Sequence, residues 1–280
     1  MTQLSNPLRA FFRQPAIYVK LPSNGEHYTA GALNMPANRE LPVYPMTAID
    51  EITYKTPDAL FNGNAVVNVI KSCIPNIVDP WAMPAMDVDT VLVAIRIASY
   101  GHTMEVSTTC PHCQNEDDYG MDLRNMMERM KTPDYTTPVA AGDLEIFFKP
   151  MTYKNLNDNN HRQFEEQKIL ETLPGVEMPD EQRMSALSAA LIKITEITVK
   201  ALSQSIAAVK TPSALVSDPE HIEDMLKNCD RRLFSKIRDH IIDIKSKAEI
   251  QPMPLKCAAC EKEYQQAVTL DMASFFVDAS

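Results

Sequence analysis

The chain has 280 residues, 27 Lys and Arg against 37 Asp and Glu, a net charge of −10 and a hydrophobic fraction of 45%. That length holds one large domain or two small ones around a substantial core, and the acidic balance excludes a whole-chain electrostatic footprint for nucleic acid or anionic lipid. The longest stretches free of Asp, Glu, Lys and Arg, His27–Asn38 and Ala59–Ile70, are 12 residues each, short of the roughly 18 that a membrane-spanning helix needs. The start has no signal-peptide core before Arg9, so the expectation is a soluble protein of a reducing cytosol.

In chain order, Ala16–Leu21 is rich in strand formers and stops at the turn cluster Pro22-Ser-Asn-Gly25. Glu40–Tyr44 is a second short extended run whose proline suits an edge strand. Thr47 with Asp50 is an N-cap signature. A helix-like stretch runs from Pro57 through Val66, Val67, Ile70 and Cys73. The next helix starts near Asp87, with Val88, Val91, Leu92 and Ile95 at i, i+3, i+4 and i+7 and Gly101 at its C-terminal cap. Met104–Ser107, the alternating Tyr119, Met121 and Leu123, and Leu144–Lys149 read as strands.

The segment 153–250 reads as mainly helical. Met184, Leu187, Leu191, Ile194, Thr198 and Leu202 step by three and four, as do Leu233, Ile237, Ile241 and Ile244. Asp218-Pro-Glu begins a short helix between them, with Asp as cap and Pro in the first turn. Beyond Pro252 and Pro254 the pattern returns to strand, with Tyr264, Val268 and Leu270 on one face.

One order of motifs recurs. Pro-Met-Thr follows a strand at 45–47 and at 150–152, Thr-Pro-x-Ala-Leu occurs at 56–60 and at 211–215, and each is followed by a Cys (Cys73, Cys229) and then by a C-x-x-C. The spacings differ, which leaves open both a duplication and chance short matches.

The seven glycines (25, 31, 63, 101, 120, 142 and 175) contain neither G-x-G-x-x-G nor a P-loop, so the phosphate-cradling loops of nucleotide enzymes are excluded. The six histidines are scattered without an H-E-x-x-H pair, and no nucleophile elbow or acid–base pair can be assigned. Glu116-Asp117-Asp118 reads as a solvated acidic turn. Met121, Met126, Met127 and Met130 suit an adaptable partner surface and a core equally. Leu8-Arg-Ala-Phe-Phe-Arg13 carries two adjacent aromatics among few core signals, which suggests an arm docking on a neighbour.

The cysteines carry the strongest signal. Cys110-Pro-His-Cys113 and Cys257-Ala-Ala-Cys260 are two C-x-x-C pairs, each beside strand-like sequence, as in zinc-ribbon knuckles. The 143 residues between them, 114–256, exceed the usual run of roughly 15–20. Closing such a loop costs on the order of 4–5 kcal/mol, and a structural zinc site contributes roughly 10–16 kcal/mol, so the spacing is not prohibitive. A redox dithiol would need its first Cys at a helix N-terminus, whereas an acidic turn and a strand follow Cys113. Two separate disulfides conflict with a reducing compartment. The reading favours one metal shared by Cys110, Cys113, Cys257 and Cys260, zinc first and an iron–sulfur cluster second. His112 reads as an exposed turn residue, and Cys73 and Cys229 as small apolar residues at helix ends.

The expected fold class is therefore α+β, with a small zinc-ribbon-like β module built from two distant C-x-x-C knuckles and a long, mainly helical insertion. Its expected parts are an N-terminal arm and β-rich lobe (1–55), a helical segment (56–101), the ribbon-like module (102–123 with 251–280) and the helical insertion (124–250).

Leu21-Pro-Ser-Asn-Gly25, Leu41-Pro-Val-Tyr-Pro-Met-Thr47 with Asp50-Glu51, Thr56-Pro-Asp-Ala-Leu60 with Asn62-Gly63, Ile70-Lys-Ser-Cys-Ile-Pro75, Asp79-Pro80, Asp87, Ala94-Ile-Arg-Ile97 with Tyr100-Gly101, and Cys110-Pro-His-Cys113 follow one another in this order. The series resembles the baseplate hub protein family of T-even-type contractile-tailed phages, over roughly residues 10–113. The resemblance implies a non-enzymatic tail protein of the virion, assembled in the host cytoplasm. Its implied partners are other phage tail and baseplate proteins, with no nucleic acid, membrane or small-molecule substrate. An assembly factor or chaperone that leaves before maturation, and more remotely a C-x-x-C thiol–disulfide oxidoreductase, stay open beside it.

Overall fold

The structure is a computed structural model that describes residues 6–55, 63–173, 179–248, 252–266 and Phe276. The described residues fall into two compact units, one within 1–80, 87–130 and 250–280 and the other within 81–86 and 131–249.

In the first unit, β1 (Ile17–Val19) pairs antiparallel with β2 (Leu41–Val43), Val19 opposite Leu41, and the inward Val19, Leu41 and Val43 are buried. Helix α1 (Ala48–Tyr54) follows β2 and opens on the expected capping box: Asp50 N–H donates to Thr47 Oγ1, and Thr47 N–H donates to Asp50 Oδ2 at 2.8 Å. Helix α2 (Asn64–Cys73) buries Val66, Val67, Val69, Ile70 and, at its last position, Cys73. Thr56–Leu60, Asn62 and the expected helix start at Pro57 lie outside the described residues.

Helix α3 (Ala85–Tyr100) differs from expectation in two ways. Val93 and Ala94 are buried along with Val91, Leu92 and Ile95, so the helix is apolar all round at its centre, as befits an element at the heart of a core. It also begins at Ala85, two residues before Asp87. The Asp87 carboxylate is wholly buried and accepts hydrogen bonds from Ser23 N–H at 2.8 Å, Ser23 Oγ and Tyr28 OH at 3.0 Å. Burial pushes its pKa up to about 6, against the pull of those hydrogen bonds. The acid pins the turn formed by Pro22-Ser-Asn-Gly25. Gly101 ends α3 at φ +88°, where only glycine is unstrained.

Strand β3 (Thr103–Thr109) pairs with β4 (Glu116–Asp122) from Thr103↔Asp122 to Thr109↔Glu116. Leu123, read from alternation as strand, instead opens α4 (Leu123–Arg129), capped by Asp122. Met121 and Met126 are core residues, 4% and 3% exposed. In the amino-terminal stretch Leu8, Phe11 and Phe12 are 61%, 84% and 56% exposed. Its root is fixed by Arg13, whose Nη2 donates to Ser72 O and Oγ at 2.8 Å and whose Nη1 lies 3.3 Å from Asp50 Oδ2.

In the second unit a four-stranded antiparallel sheet runs β5 (Val139–Ala141), β6 (Leu144–Phe148), β7 (Ile206–Lys210), β8 (Leu215–Val216). Helix α5 (Tyr153–Thr172), capped by Thr152, and α6 (Asp180–Gln204) form a long hairpin between β6 and β7, linked by Lys193–Glu166 at 3.1 Å. Helices α7 (Pro219–Asn228) and α8 (Arg231–Ala248) close the core, where Ile146, Phe148 and Ile206 meet Leu202, Ile222, Leu226, Ile237 and Ile241. The stretch 153–250 is thus not helical throughout. Ile206-Ala-Ala-Val209 holds two strong helix formers, and its pairing with β6, Phe147 opposite Ala208, overrides that propensity. The recurring motifs occupy comparable places: Thr47 and Thr152 both cap helices after a strand, Cys73 ends α2 and Cys229 caps α7.

Candidate metal centre

The first C-x-x-C fills the turn between β3 and β4, and the second fills the turn between β9 (Met253–Lys256) and β10 (Glu263–Gln266), which pair from Met253↔Gln266 to Lys256↔Glu263. Val268 and Leu270 lie outside the described residues. The two turns share one hydrogen-bond pattern. Cys110 N–H donates to Asn115 O at 2.9 Å and Cys257 N–H to Lys262 O at 3.0 Å, while Gln114 N–H and Glu261 N–H return to the carbonyls of Cys110 and Cys257. Gln114 and Glu261 take the left-handed conformation that closes each turn, at φ +62° and +58°. Each turn so built aims two sulfurs out of its hairpin.

The hairpins meet side chain to side chain. Tyr119 OH donates to Lys256 O at 3.0 Å, and the hydroxyls of Thr108 and Tyr264 hydrogen-bond in a buried position. Cys110, Cys257 and Tyr264 form a small core of their own, with Leu255 and Cys260 packed against it.

The sulfurs of Cys110, Cys113, Cys257 and Cys260 all lie within 4.8 Å of one another, with Cys110–Cys260 at 3.8 Å and Cys113–Cys257 at 3.6 Å. A tetrahedron with Zn–S bonds of about 2.3 Å has S···S edges of about 3.8 Å, so the donor set fits one tetrahedral ion. All four cysteines are free. Backbone N–H groups of Cys260 and Ala259 hold the Cys257 thiol down to about 7. Cys113, although the Asn115 N–H pulls it down, is pushed up to about 12 by desolvation and by the thiols of Cys257, Cys260 and Cys110. Four sulfurs this close cannot all ionise without a cation among them.

The four cysteines singled out from spacing are the four brought together. His112 is exposed and outside the cluster, and Cys73 and Cys229 stand apart from it at their helix ends. Neither first Cys lies at a helix N-terminus, which removes the geometry a thioredoxin-type dithiol requires. The Thr108–Tyr264 and Tyr119–Lys256 links were not foreseen, since no local pattern joins residues so far apart in the chain.

No described helix is long and apolar enough to cross a membrane. A family model described as T4 bacteriophage base plate protein matches residues 15–277. No curated protein and no solved structure matches the chain.

Proposed function

Because the chain belongs to the T4 bacteriophage base plate protein family, we propose that it is a non-enzymatic structural component of the baseplate hub, retained in the virion and held in shape by one zinc ion on Cys110, Cys113, Cys257 and Cys260. The observation that carries this reading is the convergence of four thiols from two hairpins on one tetrahedral site. Four protein sulfurs fill every position of such a shell, leaving none for the water that catalytic zinc activates. The ion's work is then to favour the folded chain and fix the two hairpins for docking. An iron–sulfur cluster is the second candidate for the same thiolates.

Other tail proteins are the partners this family implies, and the arm is the surface we assign to one of them. Leu8, Phe11 and Phe12 project from a root clamped by Arg13 on Asp50, and Ile49 and Ile52, flanking Asp50 on α1, are 75% and 70% exposed. An apolar surface of this kind is buried when a neighbour covers it.

Mass spectrometry of purified tails tests the structural role: the chain is expected at fixed copy number. Tails that lack it, yet fail to form in its absence, would identify an assembly factor instead. Metal analysis of the purified chain should give about one zinc per chain, and a brown, iron-containing preparation would point to the cluster.

A further inference from the structure

The long hairpin of the second unit leaves one helix face without charge. From Met184 to Ile192, α6 reads Met-Ser-Ala-Leu-Ser-Ala-Ala-Leu-Ile, and Met184, Leu191 and Ile192 are 67%, 56% and 57% exposed. A solvated helix face ordinarily carries charged and polar side chains. Here Met184, Ser188, Leu191 and Thr195 step by four, three and four, the seam spacing that a second helix fills. Ser185, Ser188 and Ala189, all exposed, are small enough to let that helix approach closely.

The two ends of the seam are unlike. At the N-terminal end stands Met184, with the exposed carboxylate of Glu181 just beyond it. At the other end the seam runs into an apolar cleft lined by Thr195, Val199, Leu226, Cys229 and Phe234, with Glu196, Lys227 and Arg231 on its rim. Lys227 is answered within the chain by Glu223 at 2.7 Å and by the nearby Glu196. Arg231 is exposed and is the cation the rim offers to an incoming acid.

We propose that this face of α6 is a dimer interface: two copies of the chain pair antiparallel about Leu191, Met184 of each entering the cleft of the other and Glu181 of each meeting Arg231 of the other. Seven residues span about 10.5 Å of helix, so Met184 and Thr198 lie equally far from Leu191 on opposite sides. A twofold axis at Leu191 therefore sets Met184 of one copy over Thr195–Val199 of the other. Such an interface must be complementary to itself, and a seam with a knob and an acid at one end and a cleft and a base at the other meets that condition in the antiparallel arrangement alone. A helix of another protein would satisfy the spacing, but the Glu181–Arg231 match belongs to a second copy. The inference goes beyond the metal and baseplate readings and does not depend on either.

The test is light scattering with size-exclusion chromatography on the purified full chain at micromolar concentrations, its metal content measured separately. The expected mass is twice the 31.4 kDa of one chain. Leu191→Glu, at an exposed position, should give a monomer with an unchanged circular dichroism spectrum. Arg231→Glu should weaken dimerisation by about tenfold or more, and adding Glu181→Arg to the same chain should restore it. A wild-type monomer at every concentration, a dimer that survives Leu191→Glu, no rescue by the double exchange, or a Leu191-dependent complex formed only with another tail protein would each overturn the proposal.

Discussion

The hydroxyl of Tyr264 lies 2.5 Å from that of Thr108 across 156 positions of chain, buried behind the four sulfurs. This bond locks the two hairpins independently of any ion. Tyr264→Phe leaves the Thr108 hydroxyl buried without this partner, which costs about 1–3 kcal/mol. Chemical denaturation should show that loss, and the variant should release its metal to a chelator faster than the wild type while still binding one equivalent.

The cysteines are expected to act as one unit. Cys257→Ser should abolish stoichiometric metal binding, lower the unfolding midpoint and reduce incorporation into tails. His112→Ala should retain about one metal per chain, since His112 is exposed and outside the sulfur cluster. Elemental analysis of both purified variants checks the pair.

Asp87 makes a pH prediction with a defined sign. Its pKa is raised by burial to about 6, above that of an unfolded chain, so the fold prefers the protonated acid. The stability this contributes is complete below the unfolded pKa and is lost as pH rises through about 6. Asp87→Asn should therefore compare more favourably with wild type at pH 7.5 than at pH 4.5, by on the order of 2 kcal/mol. Denaturant titrations of both proteins across that range measure it.

His240 has the opposite sign. Its ring packs on Phe148 with centroids 4.6 Å apart, and burial lowers its pKa. Charging it in the fold is disfavoured, so stability present above the usual histidine pKa is lost as pH falls through the lowered value. His240→Phe should reduce the loss of stability between pH 7 and pH 5, read from thermal melts of the full chain.

The arm can be separated from the fold. Phe11 and Phe12 are exposed and Arg13 holds their root, so Phe11→Ser with Phe12→Ser should change stability by no more than about 0.5 kcal/mol. The same double variant should be depleted from purified tails, as quantified against a resident tail protein.

The four-cysteine cluster was legible because its determinants are local: two C-x-x-C turns with strand-like flanks, each turn shaped by its own few residues. The capping box of Thr47 and Asp50, the Gly101 cap and the 3.6-residue period of α8 are local in the same sense. What escaped depends on distant partners. Ile206–Lys210 becomes a strand because β6 lies beside it, and its alanines say otherwise. Asp87 marks the start of a helix because the hydrophobic period begins at Val88, but its donors, Ser23 and Tyr28, lie some sixty residues upstream. Such contacts leave no periodicity to read.

The position of the four sulfurs also governs how the chain bears load. With an ion bound, a pull between the amino-terminal arm and the carboxyl-terminal hairpin passes from the strands around Cys110–Cys113 directly into those around Cys257–Cys260. Of the second unit, residues 131–249 lie between the two linked turns in the chain, while residues 81–86 lie before Cys110, within the stretch under tension. A pull on the two ends of the chain therefore still enters that unit through residues 81–86.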